Sequence, residues 1–346
     1  MRFFDIFPTP KFLNPNVAGL SISDSCVFFV QFSVHKNGKL VLKKFGKQEL
    51  PEKSIIGGEI KNSKTITSIL EELKRKNNLR FIKASLPEEK GFIFKTVLPK
   101  MKESEIEGAL RFKIEENVPI SANEAVFDFK ILGTIDNNLR VAVSVFPQNT
   151  VYEFLEIFKM SGLVPLSFES EAQATANAVI KNSDARPYML IQAGKNKTGL
   201  YIAENQTVQY ASSIEVNTFS KEKLAGTQDS DAMPIKYIGE EIKIYGSKEK
   251  TEPVKEEMEK LLSYWQSTDK NNQKIRKAFV FGENVDEEIL KNISAVSPIE
   301  IELASVWANC LSPEEQVPEL NFEESLKYAT AIGLAIPSNH LKKQNG

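Results

Sequence analysis

An internal duplication narrows the fold of this chain more than any other feature. The apolar runs Val17–Ile22 and Val27–Phe32 flank a polar turn, Ser23-Asp24-Ser25, and Asn37-Gly38 separates the second run from Leu40-Val41-Leu42. Short apolar runs broken by Ser, Asp and Asn-Gly turns read as a three-stranded antiparallel meander. The pattern returns where Met189–Ala193 turns through Lys195-Asn196-Lys197 into Thr198–Ile202, and where Glu204-Asn205-Gln206 leads into Val208-Gln209-Tyr210. A separation of roughly 170 residues far exceeds the ~20 to 50 of a solenoid repeat, so the spacing predicts two similar α/β domains facing one another.

Between the meanders lie amphipathic helix patterns. Ile66, Ile69, Leu70 and Leu73 share one face of 65–73, and Val151, Phe154, Leu155 and Phe158 do so before Gly162. From Phe81 to Phe146 the texture changes to strands at 81–86, 92–98, 126–132 and 139–146 around one helix at about 102–117, which reads as an inserted α+β subdomain. Further helices are expected at 254–266, 285–293 and 325–331, with a strand at 278–281 ending at Gly282. The polar segments 218–231 and 247–255 read as loops. The domain plan is a first domain over 1–182 (core 17–80 and 147–182, insert about 81–146), a second over 183–337, and a polar tail over 338–346.

Composition removes several classes of function. Forty-four Lys and Arg against 46 Asp and Glu give a net charge of −2, which supplies no field for steering toward polyanions, so no nucleic-acid partner is expected. No apolar run reaches the ~18 residues of a membrane span, and the expected location is cytoplasmic, without direct membrane insertion. Cys26 and Cys310 stand far apart, and His35 and His340 are the only histidines, so thiol chemistry, structural zinc and His-based acid/base catalysis have no constellation to work with and no metal site is expected. An enzyme working through carboxylates and backbone, or a binding protein, remains.

An ordered series of short motifs then carries a family resemblance: Gly19-Leu20-Ser21-Ile22-Ser23, Leu50-Pro51, Gly58-Glu59-Ile60, Leu86-Pro87, Leu98-Pro99-Lys100-Met101, Glu105-Ile106-Glu107-Gly108-Ala109-Leu110, Glu115 to Ile120, Phe127-Asp128-Phe129, Ser161 to Pro165 and Glu169 to Ala174. In order and spacing this series resembles the type IV pilus assembly PilM family, within the actin-like group that includes the division protein FtsA. Ala331-Ile332-Gly333-Leu334-Ala335 is similar to the family's closing helix. The resemblance implies an α/β fold of actin-like (ribonuclease H-like) duplicated domains around a central cleft, with a small α+β insert in the first half.

For the cleft, the resemblance implies ATP and Mg²⁺ held by two tight turns. Here the first turn reads Ser21, Ile22, Ser23 and Asp24, and the second Gln192, Ala193 and Gly194 with Thr198 beyond; one glycine, Gly282, answers the usual nucleoside-side pair. Both metal-facing carboxylates of the family turns are replaced, by Ser21 and Gln192. Two readings stay open: Asp24 and a lysine, Lys195 or Lys197, restore a nucleotide site, or the turns are ordinary hairpins with solvated lysines. The expectation is a degenerate site, with either no cofactor or ATP and Mg²⁺, and no catalytic residue. The resemblance further implies that a groove between insert and first domain receives the cytoplasmic tail of a PilN-like membrane protein, within a platform of other pilus assembly proteins. Leu98, Pro99, Ile106 and Leu110 are its expected lining, although packing on the insert's own sheet is the commoner reason for a stripe such as Ile106, Ala109, Leu110 and Ile114. The rivals are a working ATP switch on the same fold, an FtsA-like division protein, and a sugar-kinase-like enzyme, which needs a catalytic Asp that is not legible here.

Overall fold

The computed structural model describes residues 15–35, 38–214, 252–268, 273–311, 320–337 and 340. The loops expected at 218–231 and 247–251, Lys36-Asn37 and, His340 apart, the tail at 338–346 lie outside the described residues.

The two meanders sit in separate five-stranded sheets of the same order. In the first, β1 (Val17–Ile22), β2 (Cys26–Val34) and β3 (Leu40–Glu49) run antiparallel; after a small separate hairpin of β4 (Ile55–Ile56) and β5 (Glu59–Ile60), β6 (Phe81–Leu86) and β10 (Val164–Ser170) extend the sheet in parallel beyond β1. In the second, β11 (Pro187–Ala193), β12 (Thr198–Glu204) and β13 (Thr207–Ile214) form the meander, and β14 (Lys277–Phe281) and β15 (Glu300–Leu303) continue beyond β11. The central strands β1 and β11 are nearly continuous apolar runs because helices cover both of their faces.

The outer helices follow their sequence patterns. Helix α1 (Ser63–Asn77) starts where the Asn62 side chain accepts from the Thr65 amide at 3.1 Å, ends at Asn78 in the left-handed conformation, and buries Ile66, Leu70 and Leu73. Helix α3 (Gln148–Met160) packs Phe154, Ile157 and Phe158 against the same sheet. On the second domain, α5 (Glu252–Thr268) contributes Val254, Met258 and Trp265 and α6 (Glu287–Val296) contributes Ile289 and Ile293.

Two short inner helices join the halves. Helix α4 (Glu171–Val179) is rich in alanine and buried on every side. Near the end of the chain a turn of helix, α7 (Phe322–Ser325), and a 3-10 turn at Leu326–Tyr328 lead into α8 (Ala329–Ala335), which crosses back onto β1 and α4. The Thr175 and Thr330 hydroxyls meet at 3.1 Å between the two helices. The backbones approach so closely that a Cβ on Gly333 would stand 1.7 Å from the carbonyl oxygen of Ala174.

The insert is a three-stranded sheet, β7 (Phe92–Pro99), β9 (Asn138–Pro147) and β8 (Ala125–Ile135) in that order, covered on one face by α2 (Glu103–Asn117). Two expectations are corrected here. The strand at 81–86 belongs to the first domain's main sheet, since it pairs in parallel with both β1 and β10, so the insert begins only after Leu86. Leu98, Ile106 and Leu110 are 2%, 1% and 0% exposed in the insert's own core and line no groove; of the four residues expected there, Pro99 alone is exposed. A sheet of three strands has little apolar area to hide, and α2's whole stripe is needed to cover it. The insert also leans on the second domain: the Lys95 ammonium lies 4.7 Å from the Trp265 ring centroid and 5.5 Å from that of Tyr210, and Arg140 stands 3.6 Å from Glu204.

The helix crossing yields a paired test. Gly333→Ala forces α4 and α8 apart and should cost about 2 kcal/mol or more, in the range of overpacked cores. Gly108→Ala, on the exposed face of α2 with nothing within 4 Å of the new methyl, should stabilise by about 0.5–1 kcal/mol. Denaturant unfolding of the two variants measures both; equal effects would mean that the close crossing is not a constraint.

Candidate functional site

The duplication sets the turn after β1 opposite the turn after β11, and the cleft between them gathers seven of the eight residues expected at a nucleotide. Ser21, Ser23 and Asp24 come from one side, Gln192, Gly194 and Lys195 from the other, and Gly282 from the end of β14. Thr198 lies wholly buried behind the second turn, in register with Ala193.

The first turn is an ordinary polar hairpin. The Ser23 hydroxyl oxygen accepts from the Ser25 and Cys26 amides at 3.3 and 3.0 Å, and Ser23 needs no left-handed backbone. Asp24 turns away from the opposite wall: its two oxygens accept from the Gly57 and Gly58 amides at 3.2 and 3.4 Å. Burial, with Glu89 nearby, raises its pKa despite the opposing pull of Lys197 and those amides. At Gly282 the backbone has φ of 127°, and a Cβ would stand 2.3 Å from the Ala193 carbonyl oxygen, so only glycine closes this wall.

The second turn separates the two lysines, and Lys197 departs from the solvated reading. Lys195 is exposed at the mouth, whereas Lys197 is buried, its Nζ lying 2.7 Å from Glu89 Oε2 and 2.7 Å from Glu171 Oε2. Burial alone would lower the Lys197 ammonium, but the two carboxylates outweigh it and hold its pKa well above the ordinary lysine value. Burial raises Glu171 in spite of Lys197. Behind it Glu88, pushed up to about 8 chiefly by burial, accepts from the Ala172 amide at 3.0 Å; its Oε1 has no hydrogen-bond partner among the described residues. A second bridge crosses the cleft where the Ser25 hydroxyl donates to Glu283 at 2.7 Å. Gln192 is engaged from below by the Tyr201 hydroxyl at 2.6 Å.

This geometry does not fit ATP and Mg²⁺. The cleft's cavity volume is about 30 Å³, room for roughly two waters and far below the ~300 Å³ of a small-molecule pocket. A triphosphate would meet Asp24, Glu171 and Glu283 on the walls, and the buried cation is already shared by two carboxylates. Among the described residues no three His, Cys, Asp or Glu side chains converge as metal ligands. What the arrangement does is fasten the first domain to the second through buried, charge-assisted bonds.

The pH dependence follows from Glu88. Its folded-state pKa lies above the ordinary glutamate value of 4.5, so the native state holds an extra proton between the two values; the stability this contributes is full below pH 4.5 and lost as pH rises through about 8. Glu88→Gln, which stays neutral, should therefore gain melting temperature relative to the parent between pH 5 and pH 9. A difference that does not change with pH would mean that the carboxyl ionises as freely folded as unfolded.

The comparisons with known proteins fit this architecture. A family model described as type IV pilus assembly protein PilM matches residues 19–216. No curated protein sequence matches at a significant level. Among solved structures, one described as the PilM-PilN type IV pilus biogenesis complex superimposes with a TM-score of 0.70 at 16% identity, covering 95% of this chain and 99% of that one. The cytoplasmic domain of EpsL, an inner membrane component of the Vibrio cholerae type II secretion system, gives 0.48 at 8% identity, covering 95% and 99%. EutJ, an ethanolamine utilization protein of Carboxydothermus hydrogenoformans, gives 0.46 at 10% identity, covering 93% and 89%. The fold is the actin-like one, and since the family model spans more than half of the sequence, the chain belongs to the type IV pilus assembly protein PilM family.

Proposed function

We propose that this protein is a scaffold of the type IV pilus inner-membrane platform, that it binds the cytoplasmic tail of a PilN-like membrane protein, and that it works by assembly rather than catalysis. Family membership and the likeness to a PilM-PilN complex support the reading. On this reading the chain sits at the cytoplasmic face of the membrane through its partners; among the described residues no helix is long and apolar enough to cross it.

The observation that carries the proposal is a free strand edge beside the insert. Strand β10 ends its sheet, and its outer residues Val164 and Leu166 are 40% and 49% exposed. Its Glu169 lies within electrostatic reach of Asp128 and Lys130 on β8, whose Val126 is also exposed. On this reading an extended tail adds its backbone to β10 and, between the two strands, places apolar side chains against Leu166 and Val126. Lys83 and Lys130 balance Asp128 and Glu169 there, so long-range steering is weak. The rival ATP switch would require Lys197 to leave both of its carboxylates.

Calorimetric titration with a synthetic peptide of the PilN-like tail tests this. Raising NaCl from about 50 to 300 mM should change affinity by less than roughly threefold, because no net charge is neutralised. Leu166→Asp should weaken binding by tenfold or more with unchanged melting, a loss of about 1.4 kcal/mol. Leu110→Asp should instead unfold the insert. Undiminished binding by a folded Leu166→Asp variant would move the partner surface elsewhere.

A further inference from the structure

We infer that Lys197 sets the spacing of the two walls of the partner groove, so that the cleft and the groove form one coupled device. The inference rests on the groove just proposed, but its evidence lies in how the chain is connected. Glu89 belongs to the 3-10 turn Glu88–Lys90, the link that carries the chain from β6 of the first domain into β7 of the insert. Glu171 is the residue immediately after β10, where that strand becomes α4. One groove wall is therefore rooted at Glu171 and the other, through β7 and β9 to β8, at Glu89. A single ammonium from the second domain grips both roots at 2.7 Å.

The insert's remaining fastenings make the coupling directional. Its sheet is tied to the second domain by Lys95 over Trp265 and by Arg140 against Glu204, so a shift of that domain carries the β7–β9–β8 sheet with it. Strand β10 stays with the first domain through its six-residue register with β6. Releasing Lys197 thus lets the walls move relative to each other, although it touches no residue of the groove surface. Coupling of this kind is reciprocal: a bound tail must in turn hold the cleft shut.

The test uses the full-length chain in two arms. In the first, the PilN-like tail peptide is titrated into the parent, Lys197→Met, Glu89→Gln and Leu166→Asp. In the second, hydrogen exchange of residues 125–131 and 164–169 is followed without peptide, with Ile293→Ala, a core truncation in the outer helix α6 of the second domain, as a control for general loss of stability. Lys197→Met should bind about tenfold more weakly, within the 5- to 150-fold range of ordinary allosteric coupling. It should also exchange faster than the control in both segments. Glu89→Gln, which leaves the Lys197–Glu171 pair in place, should show a smaller loss in the same direction, and it decides the question if Lys197→Met does not fold. Parent-like binding and exchange in both latch variants overturn the coupling while leaving the scaffold reading intact. Undiminished binding by Leu166→Asp removes the groove itself, and the exchange arm then still decides whether Lys197 holds the two strands.

Discussion

The contact on which the rest of the molecule depends is the crossing of α4 and α8. Both helices are short and Ala-rich, α4 with Thr175 and α8 with Thr330 and Gly333 at the contact, and each is buried between the two sheets. With Gly333 against the Ala174 carbonyl and Gly19 of β1 against Ala331, neither helix can retreat without opening the core that both halves share. Side chains of this size give up apolar area for proximity, and dispersion between closely packed backbones replaces it. That proximity brings the turn after β1 within bonding distance of the turn after β11, and it is why Lys197 reaches two carboxylates on the opposite domain.

Electrostatics then fixes what the cleft can do. A buried charge costs several kcal/mol unless it is paired, and removing one partner of a buried pair typically costs 3–5 kcal/mol. The cluster meets this constraint internally: Lys197 is shared by Glu89 and Glu171, while Glu88, with a pKa near 8, keeps its proton at neutral pH and adds no third negative charge. An incoming polyanion would have to break that arrangement. The chain therefore places its own ammonium and carboxylates at the point where the resemblance implies phosphates and metal.

Much of the fold was legible in the sequence, for identifiable reasons. The meanders announce themselves as short apolar runs broken by polar turns, and α1, α3 and α2 because each has one buried face and hence a clear period. Helix α4 does not, since a segment buried all round has no polar face to alternate with. Strand β10 is masked by Pro165 and the register shift that follows it, and β15 by its four-residue length. Periodicity also shows which residues share a face without showing what covers it, which is why Leu98, Ile106 and Leu110 pass for groove residues until the insert's sheet is seen beneath them. At the cleft, position along the two turns was readable, but the role of Lys197 was not: its partners at 89 and 171 are far from it in sequence, and Glu88-Glu89-Lys90 looks like any solvated charge run.

With Lys197 shared by Glu89 and Glu171, the cleft is not expected to take a nucleotide. Calorimetric titration of the purified chain with ATP, with and without Mg²⁺, tests it most directly. The account predicts no binding, or binding weaker than about 1 μM, equivalent to roughly −8 kcal/mol, and no dependence on Mg²⁺. Submicromolar affinity that requires Mg²⁺ would contradict it.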